Sequence, residues 1–257
     1  MRIISVNTNG IRAAAKKGFF DWMLAQQADV VCIQETKAQE EQLGDDVFKP
    51  EGYHRFFFDA EKKGYSGTAI YSKSEPLSVV KGLGWDPCDS EGRYIIAEYA
   101  NTYVASLYLP SGTAGDVRQD VKYDFMAKFM QHLEQLQKRD KEVIICGDWN
   151  IAHTVADIKN ATGNKKNSGF LPEERTWMDG LFGDAGWVDA FRCIEQEPHT
   201  YTFWSTRGQA WANNTGWRID YQVVTPAIAE RVLSSSVYKE QRFSDHAPLS
   251  IDYSGEL

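Results

Sequence analysis

The sequence predicts an α/β fold with sheets packed face to face and helices outside. Two observations carry that expectation. Apolar runs bounded by polar or turn residues alternate with a few helical patterns, as in strands buried on both faces. In addition, an apolar run near residue 30 ends in Gln34-Glu35, and another near residue 145 ends in Asp148-Trp149-Asn150. This weak echo suggests two similar halves, each with a carboxylate just beyond a buried strand, where α/β folds put ligands and chemistry. No linker or low-complexity tract interrupts residues 1–257, so one domain is expected.

The elements follow in order. Residues 3–6 read as a short apolar strand, and 17–27 as a helix with Phe19, Phe20, Met23 and Leu24 at helical spacing. Residues 29–34 and 67–72 are buried strands, and 94–99 with 103–109 form a hairpin. The longest helix is expected over 116–138, where Val117, Val121, Phe125, Phe129, Leu133 and Leu136 share one face. Residues 142–147 are again a buried strand, and 172–182 opens with Pro and acids as helices do. The last quarter reads mostly as strand, over 201–204, 217–224, 232–238 and 247–253.

Composition narrows the function. An apolar fraction of 42% and a charged fraction of 25% fit a soluble globular protein. The net charge of -8 excludes a uniformly basic nucleic-acid coat but allows a basic patch beside an acidic metal site. No apolar run approaches the roughly 20 residues of a membrane span, so no membrane partner is expected. The opening MRIISVN reads as a strand rather than a secretory signal. The cysteines form no CxxC pair, and Cys32 and Cys146 sit in apolar runs as small core fillers. A reducing cytoplasm fits that usage.

Strand ends supply Asn7, Glu35, Tyr108, Asp148, Asn150, Asp220, Asp245 and His246. A single carboxylate after a strand is usually a turn former or helix cap. Together these groups would form a dense polar cluster at one rim of the core, costly to bury unpaired. A hard cation held by oxygen ligands removes that cost. Many oxygens with one imidazole point to Mg²⁺ or Mn²⁺ rather than zinc. Such a site suits phosphodiester hydrolysis, in which the ion neutralises charge and a base orients or deprotonates water.

Nine segments then amount to a resemblance. They are NTNGIRA at 7–13, IQETKA at 33–38, GYSGTAIYS at 64–72, LYLPSG at 107–112 and GDWNIAH at 147–153, followed by DIKN at 157–160, GNKKNSGFLPEER at 163–175, GWRIDYQVVTP at 216–226 and SDHAPL at 244–249. In this order, and over nearly the whole chain, they resemble the exonuclease III family of abasic-site endonucleases in the endonuclease/exonuclease/phosphatase superfamily. The resemblance implies a four-layer α/β sandwich, two packed mixed β-sheets flanked by helices.

It also implies roles. Glu35 is the principal metal ligand, with Asn7 and Asp245 nearby and Asp148, Asn150 and His246 completing the set. Asp148 orients or deprotonates the attacking water, and His246 contacts the scissile phosphate with its ring held by Asp220. Tyr108 and Asn150 donate to phosphate oxygens. Spacing leaves both Asp148 and His246 as candidates for the general base, and one or two metals as alternatives. The amide-rich, basic loop with Asn164, Lys165, Lys166 and Asn167 faces the DNA backbone, where such residues bind phosphate without reading sequence. Arg12, Lys16 and Lys17, and Lys62, Lys63 and Tyr65, are further contacts of that kind. Phe203, Trp217 and Ile219 match an apolar pocket for a base-free deoxyribose. Arg207 and Trp211 lie on a loop that reaches toward the lesion.

Three positions depart from the family pattern. Asn9 stands where some relatives carry Asp, Ser111 where some carry Asn, and Ala161 where Trp or Pro is common.

The implied activity is Mg²⁺-dependent hydrolysis of double-stranded DNA 5′ to abasic sites, leaving a 3′-hydroxyl and a 5′-deoxyribose phosphate. Clearing of blocked 3′ ends and 3′→5′ exonuclease action follow from the same site, and nothing requires more than a monomer. The alternative is a non-catalytic RNA-associated regulator on the same scaffold, which would be expected to lack catalytic acids or the His. A lipid or inositol phosphatase is opposed by the GNKKNSGF loop.

Overall fold

A computed structural model describes residues 1–257. The chain opens with β1 (Arg2–Asn7), α1 (Ile11–Lys16), α2 (Phe19–Gln26), β2 (Val30–Gln34), β3 (His54–Phe58) and β4 (Thr68–Ser72). It continues with β5 (Ser78–Lys81), β6 (Tyr94–Glu98), β7 (Thr102–Tyr108), α3 (Asp116–Leu136) and β8 (Glu142–Asp148). The last third holds α4 (Ala161–Asn164), α5 (Pro172–Phe182), β9 (Val188–Asp189), β10 (Asp220–Val224), α6 (Pro226–Ala229), β11 (Val232–Val237) and β12 (Leu249–Tyr253).

The strands form two mixed six-stranded sheets, ordered β11-β12-β1-β2-β4-β3 and β5-β6-β7-β8-β10-β9. Each has one parallel pair at its centre, β1 with β2 and β7 with β8, and antiparallel neighbours elsewhere. The two sheets therefore share one topology. Glu35 follows β2 and Asp148 ends β8, so the sequence echo marks equivalent positions of the two sheets.

Alternation explains why these strands read as unbroken apolar runs. Ile3, Val30 and Cys32 point between the sheets, where they meet Ile95, Val104, Ile144 and Cys146. Their neighbours Ile4, Val31 and Ile33 point outward to Phe19, Phe20 and Met23 around α2. On the other sheet Ala105, Val143 and Ile145 face Phe125, Phe129 and Leu133 of α3. The result is four layers, helix, sheet, sheet and helix. Each fully buried side chain of this kind contributes about 1.5–3 kcal/mol.

Several expectations need correction. The helix expected at 17–27 runs over Phe19–Gln26, and a further helix, Ile11–Lys16, precedes it unanticipated; Gly18 at φ 83, in the left-handed region, separates the two. Val117 is 77% exposed, since α3 turns its apolar face away there and buries Lys122 and Met126 instead. Residues 201–204 form no strand; Phe203 makes only isolated bridges to Trp217 and His246. The strand expected at 217–224 starts at Asp220. Strands β3, β5 and β9 were not anticipated, and each is an edge strand. β5 alternates poorly and is mostly exposed, which leaves little period-2 signal.

Candidate active site

Strand register gathers the site. Tyr108 pairs with Asp148, and Asp148 pairs with Asp220, so three side chains share one rim of the second sheet. Asn7 ends β1 opposite Gln34, and Glu35 follows on the same rim of the first sheet. His246 lies just before β12, and a backbone bridge to Phe203 holds it between the sheets.

The side chains interlock. Asn7 Nδ2 donates to Glu35 Oε1 and to Asp148 Oδ2, both at 2.8 Å, and so ties one sheet's carboxylate to the other's. His246 Nδ1 donates to Asp220 Oδ2 at 2.9 Å, which turns Nε2 toward Asp148 Oδ2, 3.8 Å away. The Asn150 N–H caps Asp148 Oδ1 at 2.9 Å, and its side-chain amide donates to the Leu109 carbonyl at 2.8 Å. Asp245 Oδ1 accepts from Asn9 Nδ2 at 3.0 Å. Asn9, Glu35, Lys37 and Asn150 all adopt positive φ, near 50°, a costly conformation for such residues that clusters at functional sites.

Electrostatics follow from burial. Removal from water pushes the Asp148 carboxyl up to about 7, and the Asp220 and Glu35 carboxylates push the same way against the opposing pull of His246. Burial alone would lower His246, but Asp220 and Asp148 outweigh it and raise the ring to about 10. Glu35 is lowered: burial opposes ionisation, and the Lys37 ammonium overcomes it from 2.7 Å at Oε2. Tyr108 is raised well above its ordinary value by burial and by Glu35, so it stays a proton donor. The Arg93 guanidinium lies 4.5 Å over its ring.

The donor set fits a hard divalent cation. Ligand atoms of Glu35, Asp148 and His246 lie within 4.8 Å of one another, two carboxylates and one imidazole. Asp220 Oδ1 is buried without a partner, another sign of charge gathered for a ligand.

A cleft of about 1110 Å³ opens above this cluster. Glu35, Tyr108, Asp148, Asn150, Asp245 and His246 line its floor, while Asn7 and Asp220 are buried beneath. Phe203, Trp217 and Ile219 form one apolar wall, with the Phe203 ring 4.8 Å from that of His246. Asn164, Lys166, Asn167 and Arg207 also face the cleft.

Other expected contacts lie apart. Arg12 and Lys16 line a neighbouring groove of about 670 Å³ that shares Lys37 with the cleft. Lys17 reaches away to donate to the Phe243 carbonyl at 3.0 Å. Lys63 and Lys165 are exposed and line neither hollow. The Tyr65 hydroxyl accepts from Arg118 at 3.1 Å and from Arg93 at 3.3 Å, with Lys62 over the ring at 5.3 Å. Trp211 is a packing residue, edge-on to Trp204 at 4.5 Å and under Arg242 at 4.9 Å. Ser111 turns its hydroxyl to Thr113 at the cleft, and Ala161 packs beside the apolar wall.

Sequence reasoning gave no role to Lys37, although it lies in the IQETKA segment two residues after Glu35. It also missed Arg93 and Lys122, which meet the site only through long-range contacts.

Residues 4–246 match the sequence model of the Endonuclease/Exonuclease/phosphatase family. The chain is 39% identical to an exodeoxyribonuclease of Bacillus subtilis over 253 residues, covering 98% of each. It is also 39% identical to a DNA repair nuclease of Danio rerio over 254 residues, covering 98% of this chain and 81% of that one. Among solved structures, an AP endonuclease from Archaeoglobus fulgidus superposes with a TM-score of 0.90 at 28% identity, covering 99% of this chain and 100% of that one.

Proposed function

The chain belongs to the Endonuclease/Exonuclease/phosphatase family, and on that premise we propose that it is a DNA repair phosphodiesterase cutting double-stranded DNA 5′ to abasic sites. The carrying observation is the meeting of Glu35, Asp148 and His246 on the floor of a cleft with an apolar wall. The same site trims blocked 3′ ends and degrades strands from the 3′ end. The whole chain acts as one nuclease domain, as a monomer in a reducing cytoplasm, where its four free cysteines stay reduced.

Glu35, with Asn7, Asp245, Asp148 and Asn150 close by, would hold Mg²⁺ or Mn²⁺, whereas His246, protonated on both ring nitrogens, has no lone pair to offer it. When bound, that ion supplies charge neutralisation at the phosphate and at the leaving oxygen. The chain's own groups do the rest. Asp148, with its raised pKa, accepts a proton from water as the water oxygen bonds to phosphorus. The bond from phosphorus to the preceding nucleotide's O3′ breaks, that oxygen takes a proton from solvent water to become the 3′-hydroxyl, and the phosphate stays on the base-free sugar. His246 presents a protonated Nε2 to the phosphate, held in one orientation by Asp220. Tyr108 and Asn150 donate to phosphate oxygens.

Phe203, Trp217 and Ile219 accept the flipped sugar. A sugar without a base costs little to extrude, and a close-fitting wall excludes intact nucleotides. Lys166 and Asn164 grip the backbone, as do Lys165, Asn167 and Arg207, while Arg12, Lys63 and Tyr65 extend the track without reading sequence.

The test is an end-labelled duplex carrying one abasic-site analogue, incubated with Mg²⁺, with Mn²⁺ or with EDTA, beside an intact duplex. A single metal-dependent cut 5′ to the lesion is expected. No cut by folded protein with either ion would overturn the reading and favour a non-catalytic binding protein.

A further inference from the structure

A fully buried ion pair lies outside the catalytic cluster. Lys122 Nζ, on α3, meets Glu174 Oε1, on α5, at 2.5 Å, and both side chains are 0% exposed. Buried pairs contribute little net stability, and apolar replacements of similar volume are often as good or better. What this pair does for its surroundings is more specific. Lys122 Nζ also donates to the Asn150 carbonyl at 2.9 Å. Glu174 Oε2 accepts the backbone N–H groups of Gly169 at 2.7 Å and Leu171 at 3.0 Å.

Those partners belong to two parts of the site. Asn150 stands in a left-handed turn on the cleft floor, and Gly169 and Leu171 follow directly on the loop carrying Asn164, Lys166 and Asn167. The segments already touch, since the Ala152 N–H donates to the Gly169 carbonyl at 2.8 Å. Gly169 has φ +92, and a Cβ there would stand 3.1 Å from the Asn150 carbonyl and 3.2 Å from the Trp217 ring. The contact is tight for a side chain, and the left-handed backbone disfavours one in any case. An apolar substitute for the pair would fill the volume but strand the Asn150 carbonyl, the Gly169 and Leu171 amides and the Gln119 side-chain amide.

We propose that Lys122 and Glu174 are positioning residues that clamp the 163–171 loop onto the Asn150 turn, fixing the DNA-backbone grip relative to the reacting phosphate. This rests on the nuclease reading for its consequence, though not for its geometry.

The test uses the full chain carrying Lys122→Met with Glu174→Leu, and separately Glu174→Gln. The double change should lower the thermal midpoint without unfolding the chain, because it removes both charges together but leaves their backbone partners unpaired. Hydrogen exchange at the Gly169 and Leu171 amides should accelerate at least about tenfold in both variants, while β8 amides keep their protection. Cleavage of the abasic duplex should fall about 100-fold in kcat/KM, the scale expected when a site loosens by about 1 Å. Unchanged exchange at Gly169 and Leu171 would overturn the clamp. So would parental cleavage by a variant whose loop amides have become labile. If the double variant does not fold, Glu174→Gln decides by the same exchange readout. If the parent itself leaves abasic DNA uncut, the nuclease reading fails, and loop exchange still decides the clamp.

Discussion

Asp220→Asn is the change with the most closely defined consequence. The carboxylate accepts from His246 Nδ1 at 2.9 Å, and both groups are buried. Asparagine keeps the shape and a hydrogen-bonding oxygen but removes the charge. Two unit charges in near contact interact by about 4 kcal/mol at an effective dielectric of ~20. That equals about three pKa units. His246 is raised to about 10, against the lowering effect of burial, chiefly by Asp220 and then Asp148. In the variant its pKa should fall to about 7. The stabilisation due to its proton, fully present below the unfolded value near pH 6.5, should then disappear as pH rises through about 7 instead of about 10. The assay is an NMR titration of the imidazole in EDTA, with pH–rate profiles measured in Mg²⁺. The alkaline limb governed by His246 should move down together with its pKa. A His246 pKa within one unit of the parent value would refute the reasoning, because Asp220 would then not be the charge that holds the proton.

Other outcomes follow from the same geometry. Glu35→Ala removes the carboxylate shared by Asn7 and Lys37, so the Mn²⁺ concentration at half-saturation, read by paramagnetic relaxation as well as by rate, should rise at least about tenfold, a change of 1.4 kcal/mol. Phe203→Ala with Trp217→Ala opens the apolar wall, so the ratio of cleavage on abasic to intact duplex should collapse toward one; a ratio kept at the parental value removes the pocket assignment. Phe129→Ala empties a fully buried site between Tyr94 and Trp149 and should cost about 3–5 kcal/mol of stability by urea unfolding.

Much of the fold was legible because its signals are local. Strands such as 30–34 and 142–148 are buried on both faces, and their continuous apolar runs announce it. The carboxylates beyond them were legible for the same reason, since polar groups after buried runs stand out. What escaped depends on tertiary partners. Lys122 sits in a helical pattern as an ordinary lysine, and only its contact with Glu174, 52 positions along the chain, makes it a buried charge. Lys37 gains its meaning from Glu35 and Asn9, brought together by left-handed turns that no hydrophobic period records. The edge strands β3, β5 and β9 escaped because an edge exposes side chains and weakens the pattern. The strand expected at 201–204 failed the other way: its aromatics serve the cleft wall and a loop anchor rather than a sheet.

The central claim is that Asp148, on the rim where the two sheets meet, moves the proton of the attacking water. The most direct measurement compares parent and Asp148→Asn on the abasic duplex in Mg²⁺, with DNA affinity measured alongside. Single-turnover cleavage should fall by at least about 100-fold, while affinity and thermal midpoint stay near parental values. Near-parental cleavage by the folded variant would contradict the account.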